Sequence, residues 1–305
     1  MRLVFAGTPE LAADTLQVLL DSGRHQVVAV LTRPDAAKGR SSKLLPSPVA
    51  ELAEQRGIEV LKPVKPSEPW LAQRLAELQV DCVPVVAYGG LIPGNLLDAI
   101  PKGWVNLHFS LLPRWRGAAP VQRAILAGDQ VSGVTIFDLV PELDAGPVLA
   151  RAEYRFGPDE TSGEALTGLT AIGSRLLVET LDRLEDGTAI AENQPSDGIT
   201  LAPKLTPAEA QLDWSQTAEQ LARVVRANNP SPIAWTTLNG ERFRILRARP
   251  IEGVAEPGTV EATKNTVRVG TGAGLLELIE VQPAGKRVLP AADWGRGLRQ
   301  AVRLG

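Results

Sequence analysis

The sequence predicts an α/β protein in which a Rossmann-like, mostly parallel sheet is followed by a smaller, OB-like β-barrel domain. Its 305 residues are enough for two domains that each bury a core of their own. As far as residue 184, short apolar runs alternate with amphipathic segments, which is the pattern of strands and helices in a parallel sheet. After residue 204 the pattern changes to short strands separated by turn residues.

The first elements predict a βαβ unit. Residues 3–6 form a short apolar run that predicts a strand, and residues 27–31 form a second, β-branched run. Between them, Thr8 and Pro9 are the residue types expected at the N-cap and first position of a helix that continues to residue 20. The chain therefore starts as strand, helix and strand.

The same alternation continues through a first domain, which we expect at residues 1–187. It predicts helices at residues 49–55, 70–78, 120–127 and 162–184, and strands at residues 59–61, 83–87, 104–108, 134–139 and 148–154. Gly, Pro, Ser and Asp interrupt the pattern after residue 187, so we interpret residues 188–203 as a linker.

Residues 204–305 are predicted to form the second domain. A helix is expected to begin at Asp213 and to reach Asn228, followed by five strands at residues 233–238, 243–248, 258–262, 267–269 and 275–281. Asn239-Gly240 is a strong hairpin signal between the first two strands. Five short strands after a helix predict a small barrel, of which the OB-like barrel is one candidate.

The charge is distributed unevenly between the two predicted domains. Residues 204–305 carry 14 Lys and Arg against 10 Asp and Glu, whereas residues 1–203 carry 18 against 25, in a chain whose net charge is −3. A basic module joined to an acidic one indicates that the second domain meets a polyanion such as a nucleic acid.

The composition excludes several other classes of protein. Cys82 is the single cysteine, so neither an intramolecular disulfide nor a cysteine-based zinc site is expected, and the two histidines, His25 and His108, exclude a histidine-rich metal site. We therefore predict no metal. The apolar run before Gly7 is too short for a signal peptide, and the longest uncharged stretch is broken by Pro and Gly, so we expect a cytoplasmic protein without a membrane helix.

Polar side chains at the end of one predicted strand are the best candidates for chemistry. Asn106 and His108 are two residues apart, so they project from the same face, and Ser110 would follow on that side. A carboxamide beside a protonated imidazole suits a developing oxyanion. Asp144 lies in the loop after the next predicted strand, where a carboxylate could hold the imidazole charged and shuttle protons.

Other interpretations of these residues remain open. A single histidine on a strand is often a core residue. A serine hydrolase would need Ser110 as its nucleophile, but the Gly-x-Ser-x-Gly elbow is absent from the sequence. The glycine spacing after the first strand does not match the dinucleotide-binding fingerprint either, so nicotinamide binding is unsupported.

Ordered sequence blocks carry a resemblance that covers both domains. In the first domain they are Phe5-Ala-Gly-Thr-Pro-Glu10, Pro46-Ser-Pro48, Ala87-Tyr-Gly89, Asn106-x-His108, Ser110-Leu-Leu-Pro-Arg-Trp-Arg-Gly-Ala-Ala-Pro120, Gly133-Val-Thr135 and Leu143-Asp-Ala-Gly146; in the second they are Lys204-Leu, Ala210 to Trp214, Asn229-Pro and Gln282-Pro-Ala-Gly-Lys286. The sequence resembles the methionyl-tRNA formyltransferases, a family of the wider 10-formyltetrahydrofolate transferase superfamily.

The resemblance implies transfer of a formyl group from 10-formyltetrahydrofolate to the α-amine of methionine on initiator methionyl-tRNA. It implies Asn106, His108 and Asp144 as the catalytic set, with His108 held cationic by Asp144. It also implies a folate cleft formed by two loops and the start of a third, with the residues Tyr88, Gly89, Gly90, Leu91, Ile92, Ser110, Leu111, Leu112, Pro113, Pro141 and Leu143.

Contacts with tRNA are expected from a basic loop at residues 33–43, interpreted as mobile, and from the basic barrel. The candidates are Arg33, Lys38, Arg40, Lys43, Arg116, Arg223, Arg226, Lys286 and Arg287, and Arg244 is a further one. Arg40 is the leading candidate in the loop, because a guanidinium can stack on an unpaired base and contact phosphate. We expect the protein to act as a monomer.

Three alternative functions compete with this prediction. A formyltetrahydrofolate hydrolase uses a related set of residues without a second substrate, but it has no use for a basic barrel. A sugar-nucleotide formyltransferase can also carry an added domain. A non-enzymatic nucleic-acid-binding module would leave the arrangement of Asn106, His108 and Asp144 unexplained.

Overall fold

A computed structural model describes residues 1–37 and 43–305. Contacts divide these residues into two compact units. The first comprises residues 1–117, 132–154 and 166–201, and the second comprises residues 118–131, 155–165 and 202–305. Lys38 and Arg40, which we predicted to bind tRNA, lie outside the described residues.

The strands and helices follow the predicted alternation. The strands are β1 (Arg2–Gly7), β2 (Gln26–Leu31), β3 (Ala36–Ala37), β4 (Leu44–Leu45), β5 (Glu59–Leu61), β6 (Val83–Val86), β7 (Trp104–His108), β8 (Val131–Asp138), β9 (Val148–Arg155), β10 (Ala234–Leu238), β11 (Glu241–Ile251), β12 (Val260–Ala262), β13 (Val267–Gly270), β14 (Leu275–Gln282) and β15 (Leu289–Pro290). The helices are α1 (Glu10–Ser22), α2 (Pro48–Gln55), α3 (Pro69–Glu77), α4 (Gly94–Leu97), α5 (Pro120–Ala127), α6 (Ser162–Asp186), α7 (Ala218–Ala227) and α8 (Ala291–Arg296).

A seven-stranded sheet forms the centre of the first unit, in the order β5-β2-β1-β6-β7-β8-β9. Strands β5, β2, β1, β6 and β7 pair in parallel, which confirms the predicted α/β class with a mostly parallel sheet. β1 is buried along almost its whole length, as its continuous apolar sequence predicted.

One pairing differs from the simple parallel pattern. β8 runs antiparallel to β7, with Val105 opposite Asp138 and His108 opposite Thr135. The end of β8 therefore lies beside the start of β7, and the Leu139 amide donates to the Trp104 carbonyl oxygen over 2.7 Å. This orientation determines how the next loop reaches His108.

Two helices have a different N-cap residue from the one predicted. α1 begins at Glu10 with Pro9 in the N-cap position, because the Thr8 hydroxyl donates to the Tyr88 carbonyl oxygen over 2.9 Å instead of capping the helix. α7 begins at Ala218 and is capped by Thr217. Asp213 does not cap it, since its carboxylate accepts hydrogen bonds from the backbone and hydroxyl of Ser215.

The second unit contains an antiparallel sheet in the order β10-β11-β14-β13-β12, with β15 paired to β14. Its topology is compatible with the predicted OB-like domain. Asn239 and Gly240 form the tight turn between β10 and β11, with φ of 52° and 80°, as their residue types predicted. Among the described residues, no helix is long and apolar enough to cross a membrane.

Candidate active site

β7 carries the two polar side chains that the period of a strand predicted to share a face. His108 is buried, with 5% of its surface exposed, whereas Asn106 is half-buried. Within residues 1–37 and 43–305 the Asn106 carboxamide has no hydrogen-bonding partner. Its two N–H donors are therefore available to a ligand.

The loop that follows β7 folds back toward His108. The Ser110 hydroxyl is fully buried and donates to the Arg114 carbonyl oxygen over 2.6 Å, and the Ser110 carbonyl accepts from the Thr135 hydroxyl over 2.6 Å. The hydroxyl and the carbonyl of Ser110 both stabilise the loop, which argues against Ser110 as a nucleophile. The Trp115 carbonyl oxygen lies 2.9 Å from His108 Nε2.

Asp144 reaches the same histidine from the loop between β8 and β9. This loop leaves the sheet beside Trp104, because β8 is antiparallel to β7, and it then runs back so that Asp144 Oδ2 lies 3.7 Å from His108 Nδ1. The Gly117 amide donates to the same Asp144 oxygen over 2.7 Å. The structure therefore brings together the three residues that the resemblance implied as catalytic.

Two features of the structure bear on the protonation of His108, which the resemblance implied to be cationic. A carbonyl oxygen only accepts, so the contact with Trp115 places a hydrogen on Nε2 and leaves Nδ1 facing Asp144. Burial lowers the pKa of His108 below its ordinary value of 6.5, and the opposing effects of Asp144 and of the Trp115 carbonyl are smaller. The lowered pKa therefore favours a neutral imidazole.

Residues from the expected linker complete this site. Gln194 Nε2 donates to the carbonyl oxygens of Asp144 and Gly146 over 2.8 and 2.9 Å, and Gln194 Oε1 accepts from Arg116 Nη2 over 2.7 Å. Thr200 Oγ1 accepts from the Trp115 amide over 2.8 Å. Sequence reasoning missed both residues, because a polar segment rich in Pro, Ser and Gly shows no apolar period.

The residues expected to form the folate cleft have different environments. Most are buried or half-buried, while the side chains of Leu91 and Leu143 are 86% and 63% exposed. Gly90 packs closely on Tyr88, since an added Cβ would lie 2.6 Å from the tyrosine ring. Buried or half-buried members are Tyr88, Gly90, Ile92, Ser110, Leu111, Leu112 and Pro113, and exposed members are Gly89, Leu91, Pro141 and Leu143.

Arg116 and Arg244 are half-buried, and the other described tRNA candidates fall into two groups. Arg33, Lys43, Lys286 and Arg287 are exposed. In the second unit, Arg226 Nη1 donates to the Glu160 carbonyl oxygen over 3.3 Å, and burial lowers the pKa of Arg226. Arg223 Nε is buried and has no partner in the described chain. Arg223 and Arg226 are therefore less accessible than the lysine and arginine at residues 286 and 287.

Metal binding gains no support from the part of the chain that the structure describes. No group of three or more His, Cys, Asp or Glu side chains there is arranged to hold an ion. His25, the second histidine, lies instead against Asp182, with Nε2 3.0 Å from Oδ1.

Comparisons with known proteins agree over both parts of the chain. Residues 1–181 match the family described as Formyl transferase, and residues 204–299 match Formyl transferase, C-terminal domain. The methionyl-tRNA formyltransferase of Streptomyces coelicolor is 52% identical over 301 residues, which cover 98% of this chain and 97% of that protein. The chain belongs to the methionyl-tRNA formyltransferase family. The resemblance found in the sequence, and the enzyme class it implied, are confirmed.

Solved structures share the fold of this methionyl-tRNA formyltransferase family member at much lower identity. An N-formyltransferase from Helicobacter canadensis, solved with folinic acid and dTDP-3-aminofucose, has a TM-score of 0.70 at 16% identity and covers 92% of this chain and 98% of its own. HypX from Aquifex aeolicus in complex with tetrahydrofolic acid has a TM-score of 0.65 at 21% identity and covers 96% of this chain and 46% of its own.

Proposed function

We propose that the protein transfers the formyl group of 10-formyltetrahydrofolate to the α-amino group of methionine on initiator methionyl-tRNA. The observation that carries this proposal is the convergence of Asn106, His108 and Asp144 at the end of β7, in a chain about half identical to methionyl-tRNA formyltransferases. A hydrogen-bond donor, a titratable base and a carboxylate at one point are what formyl transfer to an amine requires.

The reaction exchanges one bond to the formyl carbon for another. The neutral amine attacks this carbon, the bond from the carbon to N10 of the folate breaks, and one amine proton ends on N10. In between, the formyl oxygen carries negative charge. In the proposed reaction the free N–H donors of Asn106 stabilise this oxyanion, and the removal of one such donor typically costs about a hundredfold in rate.

His108 and Asp144 have a common role in moving the proton. A neutral imidazole can accept the proton that the amine loses, and His108 Nδ1 faces Asp144 Oδ2 across 3.7 Å, a distance that one water molecule or a small movement closes. The imidazolium formed in this way lies between the Asp144 carboxylate and the Trp115 carbonyl oxygen, and both favour its charge. The charge of His108 thus arises during the reaction.

Folate binding is proposed for the three loops that follow β6, β7 and β8, next to Asn106, His108 and Asp144. Leu91 and Leu143 present exposed apolar side chains, which suit the face of a flat heterocycle. The residues that would form the cleft with them are those expected from the resemblance, Tyr88 to Ile92, Ser110 to Pro113 and Pro141. The buried members shape the loops, and the exposed members make contact.

Binding of tRNA is proposed for accessible cations in both units. Arg33, Lys43 and the half-buried Arg116 belong to the first unit, and Lys286 and Arg287 follow β14 in the second. An accessible guanidinium or ammonium contacts phosphate without leaving a buried position. Arg223 and Arg226 stay candidates that would first have to leave their internal positions.

Formylation in vitro tests this proposal. The purified protein is incubated with labelled 10-formyltetrahydrofolate and with initiator methionyl-tRNA, elongator methionyl-tRNA, a dTDP-amino sugar or no acceptor. We expect label on methionine of the initiator tRNA alone. Label released as formate in every tube would identify a hydrolase, and label on the sugar nucleotide would identify a sugar formyltransferase.

Substitutions connect this activity to the site. We expect Asn106→Ala to lower kcat about a hundredfold and His108→Ala to abolish most turnover, with the affinity for tRNA nearly unchanged. Asn265→Ala is the matched control, because Asn265 is an exposed asparagine in a turn of the second unit. Near wild-type kcat in His108→Ala would remove His108 from the mechanism.

A further inference from the structure

We infer that Gln194 is a positioning residue that fixes the Asp144 loop and Arg116 in one arrangement through the two ends of its side-chain amide. The inference rests on the proposed function, because it concerns the geometry of the proposed catalytic carboxylate. Gln194 lies between the two family matches, which end at residue 181 and begin at residue 204.

All four hydrogen-bonding positions of the Gln194 amide are used. Nε2 donates to the carbonyl oxygens of Asp144 and Gly146, over 2.8 and 2.9 Å, and Oε1 accepts from Arg116 Nη2 and Nε, over 2.7 and 3.2 Å. Two carbonyl oxygens require donors and a guanidinium requires an acceptor, so the orientation of the amide is unambiguous. A carboxylate would oppose both carbonyl oxygens, and an ammonium would oppose Arg116.

The loop held by Gln194 needs an external restraint. Asp144 has φ of 46°, in the left-handed region that non-glycine residues adopt with strain. Its carbonyl oxygen is one of the two that Gln194 binds, and the other belongs to Gly146, which packs directly on the backbone of Asp138. Gln194 therefore restrains the loop on both sides of Ala145, at the residue whose carboxylate faces His108.

The same amide orients Arg116 without neutralising it. Arg116 Nε and Nη2 bind the Gln194 oxygen, and the guanidinium forms no ion pair with any described residue. An uncharged acceptor thus aims the cation and leaves its charge for an anionic substrate. The Arg116 amide also donates to the Thr200 carbonyl oxygen over 2.9 Å, so side chain and backbone are both fixed by residues 194–200.

Two substitutions distinguish the hydrogen bonds of the amide nitrogen from those of the amide oxygen. Gln194→Met removes all four hydrogen bonds with little change in volume, and Gln194→Glu keeps the acceptor for Arg116 but places negative charge against the two carbonyl oxygens. We expect both variants to lower kcat at least tenfold, with the KM for 10-formyltetrahydrofolate within twofold of wild type. We expect the KM for methionyl-tRNA to rise in both, because one frees Arg116 and the other neutralises it.

The pKa of His108 provides a readout that a merely structural role would not move. Asp144 raises this pKa, so the displacement of Asp144 in Gln194→Met should lower it further, in the same direction as Asp144→Asn. NMR titration of the two histidines measures it, and an unchanged His25 signal shows that the fold is intact. Gln211→Glu, at an exposed glutamine of the second unit, is the matched control and should change neither kcat nor the pKa of His108.

The inference would be overturned if wild type is active and Gln194→Met folds with an unchanged kcat and an unchanged pKa of His108. If Gln194→Met does not fold, Gln194→Asn, which keeps the amide but shortens its reach, decides by the same two measurements. If wild type itself fails to formylate methionyl-tRNA, the proposed function fails, while the His108 titration still decides whether Gln194 positions Asp144.

Discussion

At the scale of single residues, the chemistry depends on how burial and one carboxylate oppose each other at His108. Burial lowers the pKa of the imidazole, Asp144 raises it, and burial has the larger effect. A site that starts neutral can accept a proton during the attack by the amine. A permanently charged histidine could only donate one, so in the proposed reaction the direction of this balance makes His108 the base.

The protonation of His108 gives the first prediction at this scale. In the substrate-free protein its pKa should lie below 6.5, and Asp144→Asn should lower it further, since the substitution removes a negative charge 3.7 Å away. NMR titration of the histidine ring protons measures both values. The chain has only one other histidine, His25, which does not contact Asp144 and serves as the internal control.

A pKa of His108 above 6.5 in the free protein would contradict this prediction. An unchanged pKa in Asp144→Asn would show that the carboxylate is too well screened to influence the imidazole.

At the scale of elements, the site depends on the loop between β8 and β9, which must return along β7 because β8 is antiparallel. The turn back is tight. Gly146 approaches β8 so closely that an added Cβ would lie 1.7 Å from the Asp138 carbonyl oxygen. No side chain fits there unless the loop moves, and movement of this loop carries Asp144 away from His108.

Gly146→Ala should therefore lower both activity and stability. We expect a loss of about 2 kcal/mol in the free energy of unfolding from the forced backbone shift, and a fall in kcat of at least tenfold. Urea denaturation and formylation assays measure the two effects. Gly94→Ala, at the start of α4, is the control, because an added Cβ there meets nothing within 4 Å. Equal behaviour of the two variants would show that the loop adapts freely.

The end of α6 gives a second prediction for an element. Glu185 binds the amino group of Met1 and the guanidinium of Arg24, which lower the pKa of its carboxyl to about 2. Its contribution to stability is thus fully present above the ordinary value of 4.5 and is lost as the pH falls toward 2. Glu185→Gln should lower the free energy of unfolding at pH 7 by about 1 kcal/mol or less, as expected for a partly exposed pair.

Urea denaturation at pH 7, 4 and 3 checks this. The difference between wild type and Glu185→Gln should shrink as the pH falls. A constant difference would mean that the carboxylate is not stabilised by its two cationic partners.

Most elements of the first unit could be predicted from the sequence because their apolar periods are long enough to recognise. β7 and its polar pair are the best example, since a period of two places Asn106 and His108 on one face. The orientation of β8 could not be predicted, because alternating strands and helices look the same in either direction. α4, β15 and α8 were missed since each is too short to show a period.

Two residues of the candidate site could not be predicted from the sequence for a different reason. Gln194 and Thr200 act through hydrogen bonds to backbone atoms, and such contacts require no apolar pattern. In sequence they are indistinguishable from a solvated linker. The proximity of Asp144 to His108 was expected from the resemblance, but the loop that achieves it starts from the opposite end of β7.

At the scale of the whole molecule, charge is divided between an acidic first part and a basic second part. In the proposed complex, cations exposed in the second part contact tRNA and release its counterions, so the affinity for tRNA should fall steeply with salt. Folate binding, which we propose for loops with exposed leucine side chains, should be much less sensitive to salt. The two substrates are therefore distinguishable by ionic strength alone.

The exposed pair Lys286 and Arg287 gives the prediction at this scale. We expect Lys286→Ala/Arg287→Ala to weaken tRNA binding and to reduce the slope of log Kd against log salt by up to about two, close to one unit for each phosphate that the protein no longer neutralises. Fluorescence anisotropy at salt concentrations between about 50 and 300 mM measures the slope. Lys264→Ala/Arg299→Ala removes two exposed charges from the same unit as a control for net charge. Equal slopes in the two double variants would mean that position does not matter.

The participation of residues 194–200 in the active site has a practical consequence for dissecting this protein. A gene fragment cut at the apparent end of the first domain, residue 187, would encode Asn106, His108 and Asp144 but neither Gln194 nor Thr200. Such a fragment would lose the hydrogen bonds that these two residues make to Asp144, Trp115 and Arg116 together with the second unit, so a loss of its activity could not be assigned to either change alone. A fragment used to test the first unit without the C-terminal residues has to extend at least to residue 201.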